Sequence, residues 1–164
     1  MQQTRDTVLL IMRHGPAEPA GSRGDAARRL TAAGRTQVQR AARVLAELIP
    51  SPQAVWSSPL VRAVETAELL SAAFGLAAPT GTPLLQPGFR PEALLDSLVA
   101  TGPGPFAVIA HAPDVAGLAQ WLIGARGEGG IKFGSGTAAL VSFTSPGAGI
   151  LHALYPLGTF NPTR

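Results

Sequence analysis

The sequence predicts a three-layer α/β/α sandwich with a mostly parallel central sheet. Short apolar runs alternate with longer segments in which apolar residues recur at helical spacing, and this alternation is typical of parallel sheets covered by helices. Glycine (19 residues) and proline (15 residues) are plentiful and only 14% of the residues are charged, which favours a compact fold with many short turns. Because 46% of the 164 residues are hydrophobic, we expect one domain with its own core over residues 1–164.

The first strand and helix are marked by apolar spacing and by their end signals. Residues 7–12 form an apolar run typical of a buried strand, and residues 16–30 form a polar loop. Thr31 is predicted to cap a helix that ends near residue 49, before two prolines. Its buried face is predicted to consist of Val38, Ala41, Ala42, Leu45, Leu48 and Ile49.

A strand and a helix follow. Residues 54–57 read as a short strand, after which Ser58 and Pro59 are predicted as the N-cap and first-turn proline of a helix. Gly75 is predicted to close that helix. The remaining predicted elements are a short strand near 83–85, a helix over 92–99, a buried strand over 106–110, a helix from Pro113 to Gly124, and two paired strands over 138–143 and 149–154.

Charge and composition exclude several classes of function. The net charge of +3 comes from spaced arginines with one lysine, Lys132, so a positive field around an anion site is expected and nucleic-acid binding is not. The absence of cysteine and the scattering of three histidines predict neither a metal site nor a cofactor. No apolar run is long enough to span a membrane and no signal peptide is evident, so a cytoplasmic protein is expected, with no membrane partner.

The triplet Arg13-His14-Gly15 directly follows the first predicted strand. The carboxyl ends of parallel strands are where open α/β sheets bind ligands. A neutral imidazole can act as a nucleophile, an arginine can hold an anion through its planar fork, and a glycine permits a tight turn and the close approach of a substrate. The triplet therefore indicates phosphoryl transfer through histidine.

Two further residues are expected at the same edge of the sheet. Arg62 lies in the first turn of the helix after the 54–57 strand, and His111 directly follows the 106–110 strand. Taken singly, Arg62 could pair with Glu65 three residues later, and His111 could be a hydrogen-bonded histidine at a strand end. Their joint placement with Arg13 and His14 favours a phosphate site.

Four segments in this order resemble the histidine phosphatase superfamily, which includes phosphoglycerate mutases and acid phosphatases. The segments are residues 10–15, 28–34, 57–67 and 108–113. By this resemblance His14 is the phospho-acceptor, Arg13, Arg62 and His111 bind the phosphoryl group, and no metal is needed. The short chain and its Arg-x-Leu-Thr-x-x-Gly segment look most like the SixA-type phosphohistidine phosphatases.

The substrate-binding and proton-donating residues are less clearly marked. Gly15 and Arg28 are expected to contact substrate, although Arg28 beside Arg29 also suits a solvated basic patch. The acidic segment of mutase-like relatives and the aspartate that follows the second histidine of acid phosphatases are both missing. The remaining candidates for a proton donor are Glu18, Glu92 and Asp114, each of which also suits an ordinary loop or capping carboxylate.

The expected function is that of a metal-independent phosphatase that forms phospho-His14 and releases inorganic phosphate. A phosphohistidine bond releases imidazole, which needs less help from a general acid than an alkoxide does. The predicted substrate is therefore a histidine-phosphorylated signalling or phosphotransfer protein. The alternatives are a small-molecule phosphomonoesterase or phosphoglycerate mutase-like enzyme, and a catalytically weak module that only binds phosphorylated ligands.

Overall fold

Strands and helices alternate along the chain, which the computed structural model describes over residues 6–126 and 130–157. Within these ranges the elements are β1 (Thr7–Arg13), α1 (Ala32–Leu48), β2 (Ala54–Ser57), α2 (Val61–Ala73), β3 (Thr80–Gly81), α3 (Pro91–Thr101), β4 (Phe106–Ala110), α4 (Asp114–Ile123), β5 (Ala138–Phe143) and β6 (Ile150–Tyr155). The segments Asp25–Ala27 and Pro83–Leu85 each form a 3₁₀ turn. No helix of the described part is long and apolar enough to cross a membrane.

The six strands form one sheet in the order β3-β2-β4-β1-β5-β6. β1 and β2 both pair with β4 in parallel, and β3 pairs in parallel with β2, whereas β5 runs antiparallel to both β1 and β6. The mostly parallel α/β fold predicted from the sequence is confirmed. Arg13 pairs with Ala110 at the ends of β1 and β4, so the residues that follow these strands meet at one edge of the sheet.

Alternation along β1 creates a core on each face of the sheet. Leu9 and Ile11 belong to a buried cluster that includes residues of α3 and α4, whereas Leu10 and Met12 pack in a second cluster with residues of α1 and α2. Successive side chains of a strand point to opposite faces, which accounts for this division. The helices therefore form the two outer layers.

Most predicted element ends are confirmed. The side chain of Thr31 accepts a hydrogen bond from the Gly34 amide and so caps α1, while Gly124 adopts a left-handed conformation (φ 68°) and ends α4. The start of α2 was predicted wrongly, because the helix begins at Val61 with Leu60 as its N-cap. The Ser58 amide instead donates to the Ile109 carbonyl, so Ser58 is still paired with the neighbouring strand.

Two other local predictions are wrong. Residues 83–85 form a 3₁₀ turn whose start is capped by the Thr82 side chain, and the short strand lies earlier, at Thr80–Gly81, where it pairs with β2. Leu48 was predicted on the buried face of α1 but is 59% exposed. The neighbouring Ile49 fills that end of the core instead.

Candidate active site

His14 lies just beyond β1 with its backbone fixed on both sides. Its amide donates to the Ala110 carbonyl at 3.0 Å, and its carbonyl accepts from the Gly136 amide at 2.9 Å. In the ring, Nδ1 is 2.8 Å from the carbonyl oxygen of Gly15, while Nε2 accepts from Arg62 Nε at 3.2 Å. These two partners place the ring proton on Nδ1 and leave a lone pair on Nε2.

The imidazole of His14 is neutral near neutral pH. Burial, with smaller contributions from His111, Arg62 and Arg13, lowers its pKa to about 4 against the opposing effect of the Gly15 carbonyl. A buried histidine surrounded by positive charge resists protonation because its charged form is poorly solvated. His14 therefore keeps a basic, unprotonated Nε2 at the edge of the sheet.

Gly15 serves the packing of the site. Its amide donates to Thr66 Oγ1 at 3.0 Å, and Thr66 donates in turn to the Arg62 carbonyl at 2.7 Å. A Cβ at position 15 would collide with the side chain of Val38. This glycine thus permits the close approach of α1, and the substrate contact expected from the sequence stays a prediction.

Arg62 lies at the centre of the candidate site and is 4% exposed. Its Nε donates to His14, as described above. Its Nη2 lies 3.4 Å from His111 Nδ1 and 2.9 Å from Asp25 Oδ2. Its Nη1 donates to the backbone carbonyl of Asp25 at 2.8 Å. Glu65, the helical neighbour that could have paired with Arg62, binds other arginines instead. The guanidinium is therefore directed at the two histidines.

His111 follows β4 and faces His14, with ring centroids 5.2 Å apart. Its Nε2 is 2.8 Å from Ser58 Oγ, and its Nδ1 faces Arg62. Burial, followed by the charge of Arg62, lowers the pKa of His111 to about 4. Both imidazoles are thus neutral at pH 7, and a dianion bound between them would raise both pKa values.

Arg13 is the last residue of β1 and directly precedes His14. Its Nη1 donates to the Phe133 carbonyl at 2.9 Å, and its buried Nε–H has no acceptor among the residues that the structure describes. Burial and the charge of Arg62 lower the pKa of Arg13 from its usual value, without removing its charge at neutral pH. Arg13 and Arg62 can thus supply two guanidiniums to an anion.

Residues of the 16–30 segment take part in two carboxylate networks that sequence reasoning did not identify. Asp25 binds Arg62 through Oδ2 and Arg28 through Oδ1, at 2.9 and 3.0 Å. Arg28 thus reaches the site through Asp25, and its expected substrate contact stays a prediction. The three-residue spacing of Asp25 and Arg28 was the available signal, since a single helical turn brings such residues together.

The second network fixes the 16–30 segment to α2. Buried Glu65 accepts from the side chains of Arg29 and Arg35 and from the Leu30 amide, at distances of 2.6–2.9 Å. The hydrogen bonds of Leu30 and Arg29 and the charges of Arg29 and Arg35 hold the pKa of Glu65 below its usual value, against the opposing effect of burial. The carboxylate is therefore ionised and holds the base of the segment that carries Asp25.

None of the three predicted proton donors is hydrogen-bonded to His14 or His111 in the described part of the chain. Asp114 Oδ2 accepts from the Gly88 amide at 2.9 Å, Glu92 lies exposed in the first turn of α3, and Glu18 is exposed on the 16–30 segment. Asp114 thus binds a loop amide, and a role as proton donor stays a prediction for all three carboxylates.

The assembled groups suit phosphoryl chemistry. Two guanidiniums can neutralise the oxygens of a phosphoryl group, while the neutral imidazole of His14 offers a nucleophilic lone pair beside them. Over residues 6–126 and 130–157, no group of three or more histidine or acidic side chains is arranged to hold a metal ion.

Comparisons with known proteins agree with this chemistry. The model of the histidine phosphatase superfamily (branch 1) matches residues 9–86. The protein histidine phosphatase SixA, solved in complex with tungstate, is 27% identical and superposes with a TM-score of 0.82 over 94% of this chain and 100% of its own. No curated protein matches the chain in sequence.

Two more distant structures share the fold. A Nakamurella multipartitia protein, provisionally assigned as a phosphohistidine phosphatase SixA, is 24% identical with a TM-score of 0.72, covering 92% of this chain and 95% of its own. A mycobacterial glucosyl-3-phosphoglycerate phosphatase is 22% identical with a TM-score of 0.71, and the match covers 93% of this chain and 100% of its own.

Proposed function

This chain belongs to the histidine phosphatase superfamily and is a hydrolase of that type, and from this premise we propose that it dephosphorylates phosphohistidine on a signalling or phosphotransfer protein. The observation that carries the proposal is the state of His14. Its Nδ1 is engaged by the Gly15 carbonyl, so that the unprotonated Nε2 lies beside Arg62. A neutral imidazole held in one tautomer is ready to accept a phosphoryl group.

In the first proposed step, His14 Nε2 attacks phosphorus and forms a P–N bond while the P–N bond of the substrate breaks. The electron pair of the broken bond goes to the departing imidazole nitrogen. A phosphoimidazole whose second nitrogen already carries a proton leaves as neutral imidazole, so no proton donor is needed at the departing atom. This chemistry suits a site in which none of the predicted acids is hydrogen-bonded to the described histidines.

The guanidiniums of Arg13 and Arg62 are proposed to hold the transferred group. Transfer requires neutralisation of the equatorial phosphoryl oxygens and an in-line arrangement of the attacking and leaving atoms. Arg62 is buried and Arg13 is partly buried. Their interaction with the dianion is therefore stronger than it would be at a fully exposed surface. The clamp needs no cofactor.

In the second proposed step, water attacks phospho-His14 and inorganic phosphate departs, returning the lone pair to Nε2. His111 Nδ1 is proposed to be unprotonated, because it faces the N–H of Arg62 Nη2. It can therefore take the proton from the attacking water. The hydrogen bond between its Nε2 and Ser58 Oγ would hold the ring in that orientation.

The likeness to the SixA structure supports the substrate class. The superposition extends over the full length of that protein, at 27% identity. An alcohol ester would depend more on general acid catalysis, which typically contributes ~10²–10⁴-fold. Glu18, Glu92 and Asp114 stay candidates for that role in an ester reaction.

A substrate panel tests the proposal. The kcat/KM of the purified protein is measured with a histidine-phosphorylated phosphotransfer domain, p-nitrophenyl phosphate and 3-phosphoglycerate. We expect the phosphohistidine protein to be preferred by at least about 100-fold, because imidazole leaves without a general acid. Faster turnover of 3-phosphoglycerate would instead identify a small-molecule enzyme, and binding of the phosphorylated domain without hydrolysis of any substrate would identify a phospho-ligand-binding module.

A further inference from the structure

Asp25 competes for the same guanidinium that the phosphoryl group needs. Its backbone carbonyl accepts from Arg62 Nη1 at 2.8 Å and its Oδ2 accepts from Nη2 at 2.9 Å. Arg62 Nε is occupied by His14. With these bonds in place, most of the five N–H groups of Arg62 are already engaged.

The carboxylate lies on the open side of this site. The side chain of Asp25 is 57% exposed, whereas that of Arg62 is 5% exposed, so the ion pair runs from the interior of the site to the solvent. A substrate must enter and its leaving group must depart on the solvent side. The Asp25 carboxylate is therefore expected to face the leaving group of a bound substrate.

The position and charge of Asp25 are fixed by the protein. Hydrogen bonds from Arg28 and Arg62 hold the pKa of Asp25 below its usual range, so the group is ionised at neutral pH. The adjacent base of the segment is held to α2 by buried Glu65. A fixed carboxylate at the entrance partly offsets the two arginines and repels a second anion.

We propose that Asp25 is a specificity-determining residue of this site, which disfavours substrates with a second negative group near the phosphoryl group and favours leaving groups that present an N–H. A protonated phosphoimidazole has such an N–H, and each carboxylate oxygen can accept more than one hydrogen bond. A glycerate or bisphosphate ester places another anion there instead. The proposal rests on the proposed function in taking His14 and Arg62 as the phosphoryl site.

A matched pair of ligands tests the inference independently of turnover. Phosphoglycolate has a carboxylate at the position where ethyl phosphate has a methyl group. The dissociation constants of both ligands are measured by ³¹P NMR titration. For the wild-type protein we expect ethyl phosphate to bind about tenfold more tightly, as one like-charge contact predicts. Asp25→Asn should reduce this ratio to below about threefold, while the exposed Glu68→Gln, with the same change in charge, should leave it unchanged.

A purely structural role for Asp25 would weaken both ligands equally and preserve their ratio. An unchanged ratio in Asp25→Asn, equal wild-type affinities, or binding of neither ligand would each overturn the inference. A second readout tests the leaving group: Asp25→Asn should lower kcat/KM for phosphoimidazole about tenfold relative to p-nitrophenyl phosphate. If the binding ratio behaves as expected but no substrate is hydrolysed, the proposed function fails alone.

Discussion

Arg62 Nε lies 3.2 Å from His14 Nε2, on the ring nitrogen opposite the one that meets the Gly15 carbonyl. This contact joins the end of β1 to the first turn of α2, 48 residues later in the chain. It directs the lone pair of a neutral imidazole toward a buried cation. An anion that displaces or shares this contact would lie next to the proposed nucleophile.

Loss of the Arg62 guanidinium should impair every phosphoryl transfer at this site. We expect Arg62→Ala to lower kcat/KM by about 10²–10³-fold with both phosphohistidine and p-nitrophenyl phosphate, because the residue contacts the transferred group. Arg62→Lys should not restore kcat/KM, since an ammonium cannot reproduce the planar fork of a guanidinium. The exposed Arg40→Ala serves as the control. A loss confined to one substrate would show that Arg62 acts on the leaving group instead.

Acid should destabilise the protein through its two buried histidines. The pKa values of His14 and His111 are lowered from 6.5 to about 4, so the unfolded chain binds more protons than the folded protein between these values. The free energy of unfolding should therefore fall as pH decreases from 6.5 toward 4, by up to about 1.4 kcal/mol per pH unit for each histidine. Denaturant titrations across this window measure the slope.

His14→Gln and His111→Gln should each reduce that slope. A free energy of unfolding that stays constant across this window would contradict the assigned pKa directions. The lowered pKa values of Asp25 and Glu65 affect stability only at the acidic end of this window and below it, so the slope near pH 6 reports the histidines.

Glu65 should be needed for the stability of the fold. Glu65→Ala removes the shared acceptor of Arg29, Arg35 and the Leu30 amide, and we expect a loss of about 1–3 kcal/mol in the free energy of unfolding. Glu68 is exposed and lies three residues after Glu65 on α2. Glu68→Ala should therefore cost less than about 0.5 kcal/mol in the free energy of unfolding. Equal stability of the two variants in urea would refute the bracing role of Glu65.

Chelation should leave turnover unchanged. In the described ranges the structure offers guanidiniums and imidazoles to the phosphoryl group and has no cluster of metal ligands. Activity after dialysis against EDTA should equal that before it, and tungstate should inhibit competitively as a tetrahedral dianion. Activity that disappears on chelation and returns with a divalent ion would require a metal in the reaction.

The convergence at the sheet edge could be predicted from the sequence because each contributing signal is local. Apolar runs mark β1 and β4, and strands joined through helices run parallel, so His14 and His111 fall together without knowledge of their contacts. Arg62 follows from the same reasoning, since the register of α2 is set by its own apolar face.

The Asp25–Arg62 pair and the Glu65 network could not be predicted in this way, because pairing between distant side chains leaves no periodic signal in a sequence. Glu65 had an arginine three residues earlier on its own helix, yet it pairs with Arg29 and Arg35 across a loop. Ser58 looked like an N-cap because its neighbours are typical of one, but strand pairing with β4 extends as far as its amide. In each case a long-range contact overrides the local preference.

Trapping the covalent intermediate tests the central claim most directly. Wild-type protein is mixed with a histidine-phosphorylated phosphotransfer domain, quenched at alkaline pH within the first turnover, and digested for mass spectrometry. We predict phosphate on His14 that forms and decays at the rate of turnover, and a folded His14→Ala protein with less than about a tenth of the activity. Phosphate-free His14 together with an active His14→Ala protein would contradict the account, and His152→Ala provides the control for loss of a histidine.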